Sequence, residues 1–332
     1  MLQTSEAGTC PDYSLLSGLE KIALSNIPER STFTTQDSLE YLWRGLDLPE
    51  EPLRSVSIPS DEKTTLPKLG HLAQSSIALS ILLASTIYGL RNSIPQPKVS
   101  VNRSHASIEF KSERLYAIDG KSTASAWEPL SGVNKTLGGY VRVHDGFPHH
   151  RAGTKALLSC DPEATREDIS SVISTWRSLD LESAAVNTGL VMSALRDYSQ
   201  WDNHPQFQSL PTFPIHLRKI ADAPRLNTSP SARLGPGNDK PRRSLRVLEF
   251  SRVIAAPVAG KILAAHGANV LWVTSPNLPD SPSLDREFAR GKHTIQLDLD
   301  SEHNLAPALN LAKDADVFIQ GYHPGALSAK GL

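Results

Sequence analysis

The chain has 332 residues, with 34 basic and 35 acidic side chains and a formal net charge of −1. That balance leaves no electrostatic footprint for nucleic acid or for an anionic membrane surface, so neither is expected as a partner. The only cysteines are Cys10 and Cys160, which argues against a disulfide framework and for a reducing compartment. The opening residues carry neither a secretory nor a transit pattern, and residues 329–332 are a poor peroxisomal address, so a cytoplasmic location is expected.

Residues 1–68 read as an irregular, partly helical lead-in. Leu39, Leu42, Trp43 and Leu46 have helical spacing there, and the following PEEPLRSVSIPSDEKTTLP reads as loop. The most apolar run, residues 77–90, is shorter than the roughly 20 residues a bilayer requires. It predicts a buried helix from His71 to about Leu90, closed by Pro95 and Pro97. Residues 98–101 and 107–110 fit strand or short helix equally well.

A second folded stretch begins after the turn-like residues 127–132. Residues 139–144, GYVRVH, alternate as a half-buried strand, and Asp145-Gly146 turns into FPHHR. Thr165 and Asp168 have capping-box spacing, and Ile169, Val172, Ile173 and Trp176 then share one helix face. Residues 181–188 predict another helix, ended by Gly189, and residues 198–206 an ordered loop or short helix. Trp176 and Trp201 are expected as core and domain-closing anchors.

Residues 226–243 form a polar, Pro- and Gly-containing linker. Beyond it, RVLEFSRVIAAPVAGKILAAHGANVLWVT (residues 246–274) reads as strand, turn, helix, Gly stop and strand, a βαβ unit of a parallel sheet. Val247, Leu248 and Phe250 make the first strand, and Val270, Leu271 and Val273 the second. Pro257 suits the first helical turn, Gly267 the stop, and Val258, Ala259, Ile262, Leu263 and Ala265 the apolar face. Residues 275–283 read as loop, 293–299 as strand, 301–313 as helix and 316–320 as a buried strand. Open α/β sheets bind ligands at the strand-to-helix turn, where the helix N-terminus favours phosphate; an ordinary βαβ without a ligand fits the same pattern.

Other chemistry-bearing groups carry weaker signals. His144, His149, His150 and His204, with Cys160, match no metal-ligand spacing, so surface or capping histidines are expected and no metal. Asp119-Gly120 and Asp145-Gly146 read first as turns, with Asp145 a candidate surrogate nucleophile. Lys292 could reach a phosphate or be a solvated strand-end lysine.

The βαβ stretch resembles the N-terminal signature of family III CoA-transferases, the CaiB/BaiF-like family that includes formyl-CoA transferase and α-methylacyl-CoA racemase. Residues 291–298, GKHTIQLD, are similar to its "NKRS-x-x-LDL" strand. Ala315-Asp316-Val317 leading to Tyr322-His323-Pro324-Gly325 is similar to its "ADV…NFRPG" turn. Residues 139–146 and 200–206 resemble, less specifically, its smaller domain. A small-domain-like half ahead of the nucleotide-binding-type half is similar to fungal members with a degenerate N-terminal half. The resemblance implies an α/β fold: a smaller α+β domain at 69–225, then a truncated Rossmann-like CoA-binding domain at 244–332.

The resemblance further implies transfer of CoA between an acyl-CoA thioester and a carboxylic acid, coenzyme A being a substrate and not a tightly bound cofactor. A carboxylate takes the acyl group as a mixed anhydride reactive enough to accept CoA back. The alternatives are a racemase-like epimerisation of acyl-CoA esters by a His and an Asp, or a non-catalytic truncated or pairing subunit. An interlocked homodimer, or pairing with a related chain, is implied as well. Val253, Ile254 and Ala255 match the turn lining CoA, Leu297 the adenine-side strand, and Tyr322 with Ala326 the turn near pantetheine and phosphates; Lys292 is the added phosphate candidate. The family's catalytic Asp lies beyond the "RPG" helix, past Leu332, so no catalytic residue is assigned. His323 stands for the usual Arg, Gly321 for Asn, Ser275 for a basic residue and Asp300 for Lys. Replacing a cation by Asp beside a phosphate weakens CoA binding by roughly 1–3 kcal/mol for a charge-assisted bond, so weak or absent CoA affinity is expected of this chain alone.

Overall fold

Four buried clusters, drawn from three separate stretches of sequence, organise the described residues. A computed structural model describes residues 33–59, 67–122, 130–222, 240 and 245–332. The lead-in to residue 32 with Cys10, the turn at Trp127 and the linker 226–243 apart from Lys240 lie outside the described residues.

The first cluster is helical. Helix α1 (Thr35–Gly45) opens on a Thr34–Asp37 capping box and buries Leu39 and Trp43. A 3₁₀ turn at Glu51–Ser55 leads to β1 (Val56–Ser57). Helix α2 (Pro67–Asn92) extends the expected His71–Leu90 helix by four residues at its start and two at its end; by length and composition, Leu69–Asn92 could cross a membrane. Half of that span is buried instead, with Ala73, Ala78, Leu79 and Leu82 against α1 and α3 (Arg103–Glu109). The ambiguous residues 98–110 resolve into β2 (Val99–Ser100), paired parallel with β1, and then α3.

The second cluster lies under an antiparallel sheet. Helix α4 (Ser112–Leu115) and the small hairpin of β3 (Ala117–Ile118) and β4 (Lys121–Ser122) precede it. Strands β5 (Gly132–Thr136) and β6 (Gly139–Val143) pair, and β7 (Met192–Ala194) joins the far edge of β6. Val141 and Val143 point inward while Tyr140 and Arg142 stay outside, the alternation expected of a sheet with one wet face. Helices α5 (Pro148–Leu157), α6 (Arg166–Ile173) and α7 (Ser178–Asn187) cover the dry face. The Thr165–Asp168 capping box forms, and Ile169 and Ile173 are buried. Trp176 falls beyond α6 yet packs on this core. Trp201 instead makes a local stack with His204 and Phe207 across α8 (Tyr198–Asp202) and α9 (Pro205–Gln208), not a domain-closing contact.

The C-terminal unit is a four-stranded parallel sheet. Strands β8 (Arg246–Phe250), β9 (Asn269–Thr274), β10 (His293–Gln296) and β11 (Val317–Gln320) lie in the order β10-β9-β8-β11. Helices α10 (Ala255–Ala265), α11 (Pro282–Phe288) and α12 (Glu302–Lys313) provide the crossovers. One face packs Val247 and Val270 with Ala264 and Ala268; the other packs Leu248, Phe250 and Val273 with Leu297 and Ala308. Gly267 takes φ +97 just past α10, the left-handed stop its position predicts.

Three expectations are corrected in this unit. The inward stripe of α10 is Pro257, Gly260, Lys261 and Ala264, while Val258, Ile262 and Leu263 are only partly covered and Ala259 and Ala265 are exposed. Residues 282–288, read partly as loop, form α11, which buries Leu284, Glu287 and Phe288. Strand β11 is an edge strand, with Phe318 43% exposed, because only β8 flanks it.

Candidate functional site

Strand order reverses between β8 and β11: β9 and β10 are added on one side of β8, and α12 then carries the chain back to the other. Ligands of open α/β sheets bind at such a switch point, outside the carboxyl ends of the strands. Here that point lies between the turn after β8, residues 251–255, and the turn after β11, residues 321–326. The two turns touch. Gly321 N–H donates to Phe250 O at 2.9 Å, and a Cβ on Gly321 would stand 2.7 Å from Ala256 Cβ. A side chain at 321 would push the two lips apart.

Val253, Ile254 and Ala255 form the first lip. Val253 adopts φ +68, a left-handed conformation that is rare and costly for a β-branched residue. That kink turns the chain directly from strand to helix. Ile254 occupies the N-cap position of α10 without a side-chain cap, so no side chain satisfies the first N–H groups of the helix. Those donors, with the helix dipole, suit a phosphate.

Tyr322 and Ala326 lie on the opposite lip, both partly buried. Burial pushes the Tyr322 phenol up, and the nearby Arg252 charge partly offsets it, so it is a neutral hydroxyl at physiological pH. His323 is exposed beside it. On the β9 side of the first lip, Val253, Trp272, Thr274, Asp280, Asp285 and Phe147 line a narrow crevice of about 10 Å³, room for roughly one water. Arg252 crosses its mouth, with its guanidinium 5.0 Å above the Phe147 ring and donating to Pro279 O. Burial pushes the Asp285 carboxyl up, although it accepts from Ser281 N–H at 3.0 Å.

Lys292 and Leu297 are not on the lips. Leu297 is 7% exposed within the core under α12. Lys292 is fully buried, contrary to the solvated strand-end reading. Its ammonium donates to Glu249 Oε1 and Oε2 at 2.9 and 2.8 Å and to Pro257 O at 2.8 Å, and it sits 4.6 Å from the Trp272 ring centroid. Every hydrogen it carries is directed into the protein. Glu249 is equally buried and accepts from Ser251 Oγ at 2.5 Å. Sequence reading assigned Glu249 no role, yet a lone carboxylate inside an otherwise apolar strand was the signal available.

The remaining candidates separate. Asp145 is fully buried, bonded to Ser131 Oγ with Arg151 3.7 Å away, and lines no cleft described here. His149 stacks on Phe147 and His150 meets the same ring edge-on, and no group of three or more His, Cys, Asp or Glu residues placed to hold a metal occurs among the described residues. Asp300, which replaces a family cation, pairs with Lys330. Ser275 Oγ accepts from Asn277 N–H at 3.2 Å.

Comparison with known proteins agrees with this geometry. The sequence model of CoA-transferase family III matches residues 243–332, which contain both lips and the whole parallel sheet. An acyl-CoA transferase of Gibberella moniliformis is 28% identical over 216 residues, 62% of this chain and 34% of that protein. An acetyl-coenzyme A transferase of Hypoxylon pulicicidum is 25% identical over 327 residues, 85% of this chain and 54% of that one. The chain thus spans about a third to a half of the length of these relatives. A crystal structure of a CaiB/BaiF family protein from Brucella suis is 28% identical, with a TM-score of 0.25 and 29% of each chain covered. The C-terminal α/β unit, residues 243–332, is thus the part of the chain that matches CoA-transferase family III.

Proposed function

We propose that this protein is the CoA-cradling part of an enzyme that moves CoA between an acyl-CoA thioester and a carboxylic acid. The observation that carries the reading is the Ser251–Ala255 turn at the switch point of a family III sheet, with a left-handed Val253 and a helix N-terminus uncapped by any side chain. The phosphates of CoA meet the first N–H groups of α10, and Tyr322 and Ala326 face the pantetheine arm from the opposite lip. CoA and its acyl esters are substrates, and no tightly held cofactor is needed.

No residue described here is assigned as the acyl-accepting nucleophile. In this reading that carboxylate comes from outside the described residues, on the same polypeptide or on a related chain interlocked with it as a dimer. The lips offer few cations: Lys292 is committed internally, Asp300 is paired, and His323 stands where the family has Arg. Affinity for CoA is therefore set by backbone donors and Arg252 and is weak, with a dissociation constant on the order of 1 mM, about −4 kcal/mol.

Titration of the isotopically labelled chain with CoA, followed by amide chemical shifts, tests this. Perturbations confined to residues 251–256 and 321–326, saturating at millimolar CoA, are expected. An unperturbed turn at 10 mM CoA (about ten times the expected constant) refutes the assignment. Micromolar saturation would refute the weak-affinity part.

A further inference from the structure

We propose that the buried Glu249–Lys292 pair is the positioning device of the CoA cradle, an inference that rests on the proposed CoA site. The pair joins three elements beneath the first lip. Glu249 lies on β8, Lys292 immediately precedes β10, and Pro257 O belongs to the first turn of α10. One ammonium therefore grips both ends of the connection between residues 249 and 257, the segment that contains Val253 at φ +68.

Two further bonds fix the middle of that segment. Ser251 Oγ donates to Glu249 Oε1, and Trp272 Nε1–H donates to Ser251 O at 2.9 Å. The Trp272 ring in turn carries the Lys292 ammonium. The bonds close on one another, so the turn is over-determined, the condition under which a costly backbone conformation persists. Gly260 completes the arrangement. A Cβ there would stand 1.7 Å from Glu249 Oε2 and 3.0 Å from Lys292 Nζ, so α10 packs directly on the pair.

A buried ion pair is seldom needed for stability alone, since apolar residues of similar volume commonly serve as well or better. This pair sits under the one strained turn of the parallel sheet and bonds to both of its ends. Its role here is to set the turn, and through it the direction of the first N–H groups of α10. Neither side chain touches the ligand; both act through the backbone.

The test separates positioning from stability. The double variant Glu249→Gln/Lys292→Met removes both charges together and leaves no unpaired buried ion. It is expected to unfold cooperatively near the wild-type temperature. The Val258 amide, bonded to Ile254 O at 2.9 Å, is expected to exchange hydrogen at least about tenfold faster, and the Trp272 indole N–H resonance to move. Wild-type exchange and an unmoved indole resonance in a folded double variant would overturn the proposal. If the double variant does not fold, Glu249→Asp keeps the charge and shortens its reach, and the same two readouts decide. CoA titration runs in parallel. A wild-type turn that ignores CoA, in a protein whose double variant loosens that turn, refutes the ligand and leaves the positioning role standing.

Discussion

Lys261 Nζ lies 2.6 Å from Glu287 Oε1, with the lysine side chain 8% exposed and the glutamate fully buried. The same ammonium reaches Glu109 Oε1 at 2.7 Å and Ser112 Oγ at 3.2 Å, residues about 150 positions earlier in the chain. A charge on the inward stripe of α10 thus ties the sheet unit to the helical unit around α3 and α4. Burial pushes the Glu287 carboxyl up, but bonds from Lys261, Ser112 and Arg290, with the charge of Lys261, leave it net below the usual carboxylate range.

Removing the lysine leaves Glu287 buried with the Ser112 hydroxyl and a single cation, Arg290, which is 62% exposed. Lys261→Met is expected to cost about 3–5 kcal/mol, the usual effect of breaking one side of a buried pair. Urea denaturation measures it. A loss below about 1 kcal/mol would show that water relaxes around Glu287 without difficulty.

Gly260→Ala sets two effects against each other. Helix propensity alone favours Ala over Gly by roughly 0.5–1 kcal/mol. The new methyl, however, would overlap Glu249 Oε2 at 1.7 Å. Overpacking of this kind typically costs 1–3 kcal/mol, so a net loss of about 2 kcal/mol is expected in thermal or urea unfolding. A stabilised variant would show that Glu249 can move aside.

The strain at Val253 is directly measurable. Asn tolerates the left-handed region far better than a β-branched residue. Val253→Asn is expected to raise stability by roughly 1 kcal/mol, with the Trp272 indole resonance unchanged. A variant less stable than the parent would mean that the apolar contacts of Val253 in the cleft outweigh its backbone cost.

Glu182 predicts a pH effect in the small unit. Its carboxylate accepts from Arg196 Nη1 at 2.9 Å and from Ala194 N–H at 2.9 Å, and it also pairs with Arg196 Nη2. The bond from Arg196 is the main cause that holds it below the usual carboxylate range, against a smaller push upward from burial. A folded-state value below the unfolded one contributes stability above the unfolded value, which is lost as pH falls through the folded one. Stability should therefore decline below the ordinary glutamate range, and Glu182→Gln should flatten that limb while lowering stability at pH 7. An unchanged acid limb in Glu182→Gln would assign the decline to other carboxylates.

Much of the C-terminal unit was legible in the sequence because its signals are local. Short apolar runs, Pro257 near a helix start and Gly267 just past the helix end each depend on residues within a few positions of one another, as does the Thr165–Asp168 box in the antiparallel-sheet unit. The ordered signatures at 246–274, 291–298 and 315–325 carried the family, which the match at residues 243–332 bears out. Helix α2 was legible from His71 to about Leu90, and only its ends, at Pro67 and Asn92, lie beyond that reading. Helix α11 escaped because Pro282, which reads as a loop residue, sits at its first turn, where proline is tolerated.

By itself the sequence determined the βαβ order, the caps and the family resemblance of residues 243–332. Which side chains are free to meet a ligand was decided only by the tertiary structure. Lys292 and Lys261 read alike as cations, and nothing near either in sequence says that both are buried. Their partners, Glu249 and Glu287, lie 43 and 26 positions away, and Glu109 lies 152 positions from Lys261. Burial and ion pairing depend on distance in space, which local pattern does not encode, so the lip donors at Ile254–Ala255 and the braces beneath them separate only once the sheet has closed.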